Sequence, residues 1–276
     1  MLVRVFLFLA LAAAGGSSDS PATEEQIWQQ FLTWVRTADP RADFFKLYRE
    51  KLMADGMTDG AAGECARLIR EVLMPKHSRD LVAVNFDRAY ASPGAPFNHK
   101  PNGFLVSVSQ DLKPGAALDV AMGQGRNALY LASRGWQVTG FDIAEKGLEA
   151  AQAEAARLGL KIATVKSAYE DFDFGRERWD LVLFSYAWVP LHDPALAARV
   201  RASLRPGGLV VVEAPAEDPL KPANQREWEP TPTDDINTLT RVWSNGFRIL
   251  HYEDTEAMCD WRNRKARLLR LVAKKW

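Results

Sequence analysis

One stretch, Ala116–Asp142, constrains the fold more than any other part of the chain. Ala117–Ala121 is an apolar run with the length of a buried strand. The loop Gly123-Gln124-Gly125 follows. Asn127–Arg134 then carries apolar residues at helical spacing, and Gly135 closes that helix. Trp136–Phe141 reads as a second strand with Asp142 at its end. Strand, glycine loop, helix and strand within about thirty residues have the size of a parallel crossover. The expected class is therefore α/β with a doubly wound, mostly parallel sheet.

The spacing also carries chemistry. Glycines let backbone approach a ligand closely, and the helix starting near Arg126 aims free N–H groups and its positive dipole end at the loop. An acid about 20 residues further on, at the end of the second strand, can accept hydrogen bonds from ribose hydroxyls. Asp142 stands 23 positions after Asp119, so the unit points to a nucleoside-containing cofactor. Gly123-x-Gly125-x-x-Ala128 satisfies the dinucleotide fingerprint, which keeps a NAD-dependent oxidoreductase open at this point.

The wider stretch resembles another family. Asp119-x-Ala121-x-Gly123-x-Gly125 is similar to the acid-x-Gly-x-Gly-x-Gly signature of class I S-adenosylmethionine-dependent methyltransferases. Gly123-Gln-Gly125-Arg126-Asn127 with Leu131-Ala132-x-x-Gly135 looks like the tellurite-resistance-type, small-molecule branch, and Arg205-Pro-Gly-Gly208 resembles the family's turn before strand five. The resemblance covers roughly Phe97–Trp276. It implies a seven-stranded Rossmann-like methyltransferase fold with the last strand antiparallel, and S-adenosyl-L-methionine as cofactor. The cofactor contacts it implies are Asp119, Ala121, Gly123, Gly125, Arg126, Asn127, Asp142, Ile143, Ala168, Tyr169 and Ser185, with Ala168 and Tyr169 beside the adenine. Ala121 departs from the pattern, standing where the family has its first glycine. Alanine resists positive φ, so a slightly displaced loop is expected.

Size and composition set bounds. The chain has 276 residues, 47% hydrophobic and 25% charged, enough for one large α/β domain with decoration. Thirty-five basic residues balance 35 acidic ones, which gives no reason to invoke nucleic acid or an anionic membrane. The basic run Arg262–Arg270 reads as a solvated face on a terminal strand. Cys65 and Cys259 form no metal or redox motif, and free thiols are expected. Met1–Arg4 followed by the apolar Val5–Ala14 resembles a secretory signal, too short to span a bilayer, so 1–16 is set apart as a signal-like segment. Export or membrane anchoring conflicts with the cytosolic supply of the implied cofactor; real export, an uncleaved anchor and a start codon assigned too early all stay open, and localisation with them.

Residues 17–96 read as an α-helical N-terminal extension, either packed on the main domain or capping its pocket. Thr23-Glu-Glu-Gln26 is a capping box ahead of a helix. Two more helices, over Asp43–Met53 and Gly60–Met74, are expected, the latter ended by Pro75. Residues 97–276 form the main domain. Asn98, Lys100 and Asn102 lie in a loop before it and are candidates for substrate or cofactor contact, or for turn chemistry alone. Phe104–Leu112 is read as a helix. Ala144–Leu158 is a helix closed by Gly159, and Lys161–Val165 a third strand. Trp179–Phe184 is a fourth strand, Leu196–Leu204 a helix, Leu209–Glu213 a fifth strand and Asp234–Trp243 a helix. Phe247–Glu253 and Leu268–Ala273 are the final strands. The proline-rich Ala214–Pro232 reads as a lid-like excursion.

Ligands in open α/β sheets bind beyond the carboxyl ends of strands, which puts Ser185–Trp188 opposite a reacting group. Tyr186 and Trp188 are candidates to orient an acceptor, or plain core aromatics. His192 is a candidate base or a surface-loop histidine. Asn/Asp-Pro-Pro-aromatic, usual in amino methyltransferases of nucleic acid and glutamine, is missing here. The implied function is methyl transfer to a small-molecule thiol, oxyanion, oxygen or nitrogen nucleophile, with no metal and no nucleic-acid partner. A non-catalytic cofactor-binding or interaction module is the reading from a different class. Loss of Asp142 is expected to cost cofactor binding and little stability.

Overall fold

The computed structural model describes residues 22–38, 43–92, 97–216, 236–261 and 264–276. The signal-like segment and nearly all of the lid-like excursion lie outside the described residues. Two compact units divide at Arg88/Ala89.

The first unit is helical. Helix α1, Glu24–Val35, opens with the expected capping box: Gln26 N–H donates to Thr23 Oγ1 at 3.2 Å, and Thr23 N–H to Gln26 Oε1 at 2.8 Å. Its buried stripe Ile27, Trp28, Phe31, Leu32 and Val35 follows helical spacing. Helices α2 (Phe44–Ala54, capped by Asp43) and α3 (Asp59–Leu68, capped by Thr58) complete the core with Tyr48, Leu52 and Cys65. Pro75 does not end the third helix. A π-helical turn, Ile69–Leu73, lets Met74 N–H reach back to the Ile69 carbonyl, and α4, Met74–Lys76, carries the chain through the proline. Helix α5, Ser78–Ala91, was not legible in the sequence. Val84 is its one fully buried residue, so no apolar stripe announces it. The unit division falls within α5.

The second unit is a seven-stranded sheet in the order β3-β2-β1-β4-β5-β7-β6. Strands β1 (Ala116–Val120), β2 (Gln137–Asp142), β3 (Ile162–Lys166), β4 (Trp179–Ser185) and β5 (Leu204–Pro215) run parallel. β7 (Arg264–Lys275) runs antiparallel to both β5 and β6 (Phe247–Cys259). The central strands are apolar on both faces, as helices above and below require. Leu118, Val120, Val182 and Phe184 feed one core with Phe141, Phe172, Leu204 and Trp243. Ala117, Leu181 and Leu183 feed the other with Leu131, Trp136 and Leu148.

Helix α6, Gly103–Ser109, precedes β1 and ends earlier than expected. Helices α7 (Arg126–Ser133) and α8 (Glu145–Leu158) link β1 to β2 and β2 to β3, and Gly159 closes α8 in the left-handed region. Helices α9 (Pro194–Ser203) and α10 (Ile236–Trp243) follow β4 and the lid-like segment. Arg205–Gly208 is looped out within β5: Trp179 pairs with Leu204, and Leu181 with Leu209. β6 and β7 run well past the expected ends, because charges that read as loop are cross-strand partners. Arg267 grips Asp254 through Nε at 2.7 Å and Nη2 at 2.6 Å, and Arg270 meets Glu253 at 3.1 Å. Cys65 and Cys259 are free, buried thiols.

Candidate active site

The site is built where β1 and β2 end. Ala121 follows β1 with φ 53°, and Gly123 and Gly125 have φ 53° and 79°. Ala121 thus adopts the left-handed conformation that glycine favours, with the strain a Cβ brings there. Beyond φ, crowding excludes side chains in the loop. A Cβ on Gly123 would lie 2.2 Å from the Tyr90 hydroxyl, and one on Gly125 2.8 Å from Ala151 Cβ. Tyr90 also flanks Gly147 at the start of α8. Sequence reasoning missed Tyr90, since nothing local marks it. The nearby charges of Asp142 and Asp119 add to burial in keeping its phenol protonated, partly offset by Arg126.

Two carboxylates flank this loop. Asp142, at the end of β2, accepts from Gly123 N–H and Ala144 N–H, both at 2.8 Å. It therefore ties the glycine loop to the start of α8. The expectation that folding would be indifferent to this side chain is corrected by these two bonds. Asp119, at the end of β1, is 2% exposed. It accepts from the Ala128 backbone N–H, yet its Oδ2 has no hydrogen-bond partner among the described residues. Burial pushes its carboxyl up to about 7; Arg126 and the Ala128 bond pull it down, and Asp142 adds to the rise.

Other expected contacts are committed within the protein. Arg126 donates to Asp260 Oδ1 at 2.8 Å and to the Lys100 carbonyl at 3.0 Å. Asn127 Oδ1 accepts from Asn102 N–H at 2.8 Å. Asn102 is fully buried: its Oδ1 caps α6 at Leu105 N–H, and its Nδ2 donates to Glu213 at 2.6 Å and to Asp260 at 3.2 Å. These bonds use both amide hydrogens of Asn102 and one lone pair of its Oδ1. Asn98 makes an Asx turn to Lys100 N–H at 2.9 Å, which leaves the Lys100 side chain at the surface. Ile143 follows Asp142. Ala168 and Tyr169 lie beyond β3, in a segment held by Arg199, which donates to the Tyr169, Glu170 and Phe172 carbonyls.

At the end of β4, Ser185 pairs in register with Glu213 of β5. Its hydroxyl is buried without a hydrogen-bond partner among the described residues, as is His192 Nδ1. Tyr186 has φ 55°. Its hydroxyl donates to Glu213 Oε1 at 2.5 Å, and burial raises the phenol far above its usual range. Tyr186 is therefore held as a hydrogen-bond donor and does not serve as a base. Trp188 is 38% exposed beside it. A cavity of about 630 Å³ lies against α7 and α8, lined by His99, Gln124, Arg126 and Tyr130 among others. Gln124 and Arg126 bring this cavity up to the glycine loop, while Asp142 and Tyr186 are not among its lining residues.

Residues 117–208 match the methyltransferase domain family. The chain is 36% identical over 152 residues to nocamycin O-methyltransferase of Saccharothrix syringae, covering 52% of each protein. It is 31% identical over 131 residues to ubiquinone biosynthesis O-methyltransferase of Cereibacter sphaeroides, covering 47% of each. The chain thus spans about half the length of the curated relatives it matches. Among solved structures, TehB from Haemophilus influenzae superposes with a TM-score of 0.54 at 20% identity over 63% of this chain and 62% of its own. A protein solved in work on conversion of a disulfide bond into a thioacetal group during echinomycin biosynthesis gives 0.54 at 22% identity, over 70% and 92%. These likenesses show the class I methyltransferase fold. Residues 117–208 are similar to a methyltransferase domain, a family whose members use S-adenosylmethionine. The residues present fit that group: an orphaned buried carboxylate oxygen on Asp119 suits a cationic amine, and crowded glycines line the loop between Asp119 and Asp142.

Two outcomes are expected from this geometry. Ala121→Gly relieves the left-handed strain and stabilises the protein by about 1 kcal/mol, read as a rise in thermal midpoint. For Asp119, the folded carboxyl holds its proton up to about pH 7, while the unfolded one releases it near pH 4. Its stabilising contribution is therefore complete below about pH 4 and lost as pH rises to about 7. In Asp119→Asn the fall in stability between these pH values becomes shallower, as measured by denaturant titration across the range.

Proposed function

We propose that the protein transfers the methyl group of S-adenosylmethionine to a small-molecule acceptor held beyond the ends of β4 and β5. The observation that carries this reading is the pair of carboxylates, Asp119 and Asp142, on either side of the glycine loop, one with a buried oxygen left for a ligand. When bound, the cofactor supplies an electrophilic methyl on a sulfonium whose departure leaves a neutral thioether. The protein then has mainly to orient the two partners and exclude water. In this reading Asp142 uses its remaining lone pairs for ribose hydroxyls and Asp119 faces the cofactor's positive charge. Trp188, 38% exposed, supplies a ring face to the acceptor, and Tyr186 packs behind it.

For an oxygen acceptor, we read His192 as the base, a reading supported by its buried Nδ1, which has no hydrogen-bond partner among the described residues and follows the β4 end by a short loop. The names of two relatives, both O-methyltransferases, support oxygen ahead of the tellurite-resistance-type acceptors, for which the likeness to TehB supplies the fold alone. Labelled cofactor incubated with phenols, thiols, amines and oxyanions tests the reading. Methylated phenol is the expected product; tighter binding of a nicotinamide dinucleotide, or no methylated product from any acceptor, overturns it.

Asp142→Ala is expected to weaken cofactor binding by roughly ten- to a thousandfold, since a hydrogen bond to a charged group contributes about 1.5–3 kcal/mol. It also lowers stability, because the Gly123 and Ala144 amides lose their acceptor; calorimetric titration and thermal melts read the two effects separately. His192→Ala is expected to lower kcat for a hydroxyl acceptor by about 10²–10⁴-fold and to leave turnover of a thiolate nearly unchanged, measured side by side at one pH.

A further inference from the structure

The tip of the β6–β7 hairpin meets the start of α7, although 134 positions separate Arg126 from Asp260. Asp260 Oδ1 accepts from Arg126, and its Oδ2 accepts from Gly103 N–H at 3.0 Å and from Asn102 Nδ2 at 3.2 Å. Trp261 extends the tie: its carbonyl accepts from Asn98 N–H at 3.2 Å. Its ring is stacked between Phe97, at 5.1 Å and 9°, and Tyr186, at 6.0 Å and 16°. Arg126 lies 5.7 Å over the Tyr186 ring. Two residues thus touch the first residue of the glycine-loop helix, the Phe97–Gly103 segment and the aromatic at the end of β4.

Holding the hairpin together does not require these bonds. The β6–β7 ladder already runs to Cys259↔Arg264, and β7 is paired to β5 from Leu209 to Pro215. Arg126 is 7% exposed in its side chain, and a guanidinium taken from water needs its carboxylate partner. Its bidentate use, one nitrogen on Asp260 and another on the Lys100 carbonyl, fixes orientation as well as charge.

We propose that Asp260 is a positioning residue for the cofactor loop. Acting through Arg126 and Asn102, it sets the start of α7 and the Asn98–Asn102 segment in register with Tyr186, so that the cofactor wall and the acceptor wall are held as one piece. The inference rests on the reading of the glycine loop as the cofactor site. The β6–β7 tip is then a place where sequence change tunes cofactor affinity without touching the cofactor.

The test uses the full chain and two single variants. Asp260→Asn keeps the shape and removes the charge. Asp254→Asn breaks the Arg267 pair on the same hairpin, away from Arg126. Amide hydrogen exchange of Ala121–Leu129 is measured without ligand, and S-adenosylhomocysteine binding by calorimetry. Asp260→Asn is expected to speed exchange in that segment by about tenfold and to weaken binding by about tenfold, with Asp254→Asn within twofold of wild type in both. Unchanged exchange in Asp260→Asn overturns the proposal, and so does an equal effect of Asp254→Asn, which would make the tie ordinary hairpin stability. If the wild type binds no S-adenosylhomocysteine, the proposed function falls, while the exchange data still decide the tie. Should Asp260→Asn fail to fold, Arg126→Lys, which cannot serve Asp260 and the Lys100 carbonyl together, is expected to show the same faster exchange; normal exchange there overturns the proposal.

Discussion

The charge of Glu213 is the constraint around which the rim of the sheet is arranged. The residue is 2% exposed at the end of a central strand. Its carboxylate is held by three donors from separate parts of the chain: Tyr186 Oη and Asn102 Nδ2 on Oε1, and Arg270 Nε on Oε2. A charge in such a place persists only when its lone pairs are filled. The same bonds account for the backbone of Tyr186, whose positive φ is fixed at both ends, by its hydroxyl on the carboxylate and by its N–H on the Glu213 carbonyl at 2.8 Å. Strain of this kind survives where the surroundings overdetermine it.

A second electrostatic balance lies at the ends of β1 and β2. Asp142 accepts from two backbone donors. Asp119 has one backbone donor, deep burial and a bare oxygen. One carboxylate therefore serves the architecture of the loop while the other keeps capacity in reserve, and a glycine loop too crowded for side chains separates them. The division of labour follows from environment, since the two residues are chemically alike.

Much of this was legible in the sequence and some was not, for physical reasons. Ala116–Asp142 announced itself because strand, loop and helix are each encoded by neighbours a few residues apart, and the structure has β1, α7 and β2 within a residue or two of the reading. The capping box at Thr23 was equally local. Missed features depend on partners far along the chain. Helix α5 has too little buried surface to show a stripe. The outer halves of β6 and β7 look polar until Asp254 and Arg267 are seen across a ladder. Asn102, Arg126 and Asn127 read as ligand contacts because their motif is local, whereas their actual bonds run to Glu213, Asp260 and to one another. Tyr90 against Gly123 has no sequence signal at all.

The strand order carries a consequence for biosynthesis. β7 follows β6 in the chain but inserts between β5 and β6. On a ribosome that delivers residues one at a time, β6 emerges with no strand to pair with, and β5 keeps an open edge. Until β7 arrives, Glu213 also lacks Arg270, the only guanidinium among its partners described above. One strand thus supplies three things together: the pairing that joins β6 to β5, Arg270 for Glu213 and Arg267 for Asp254.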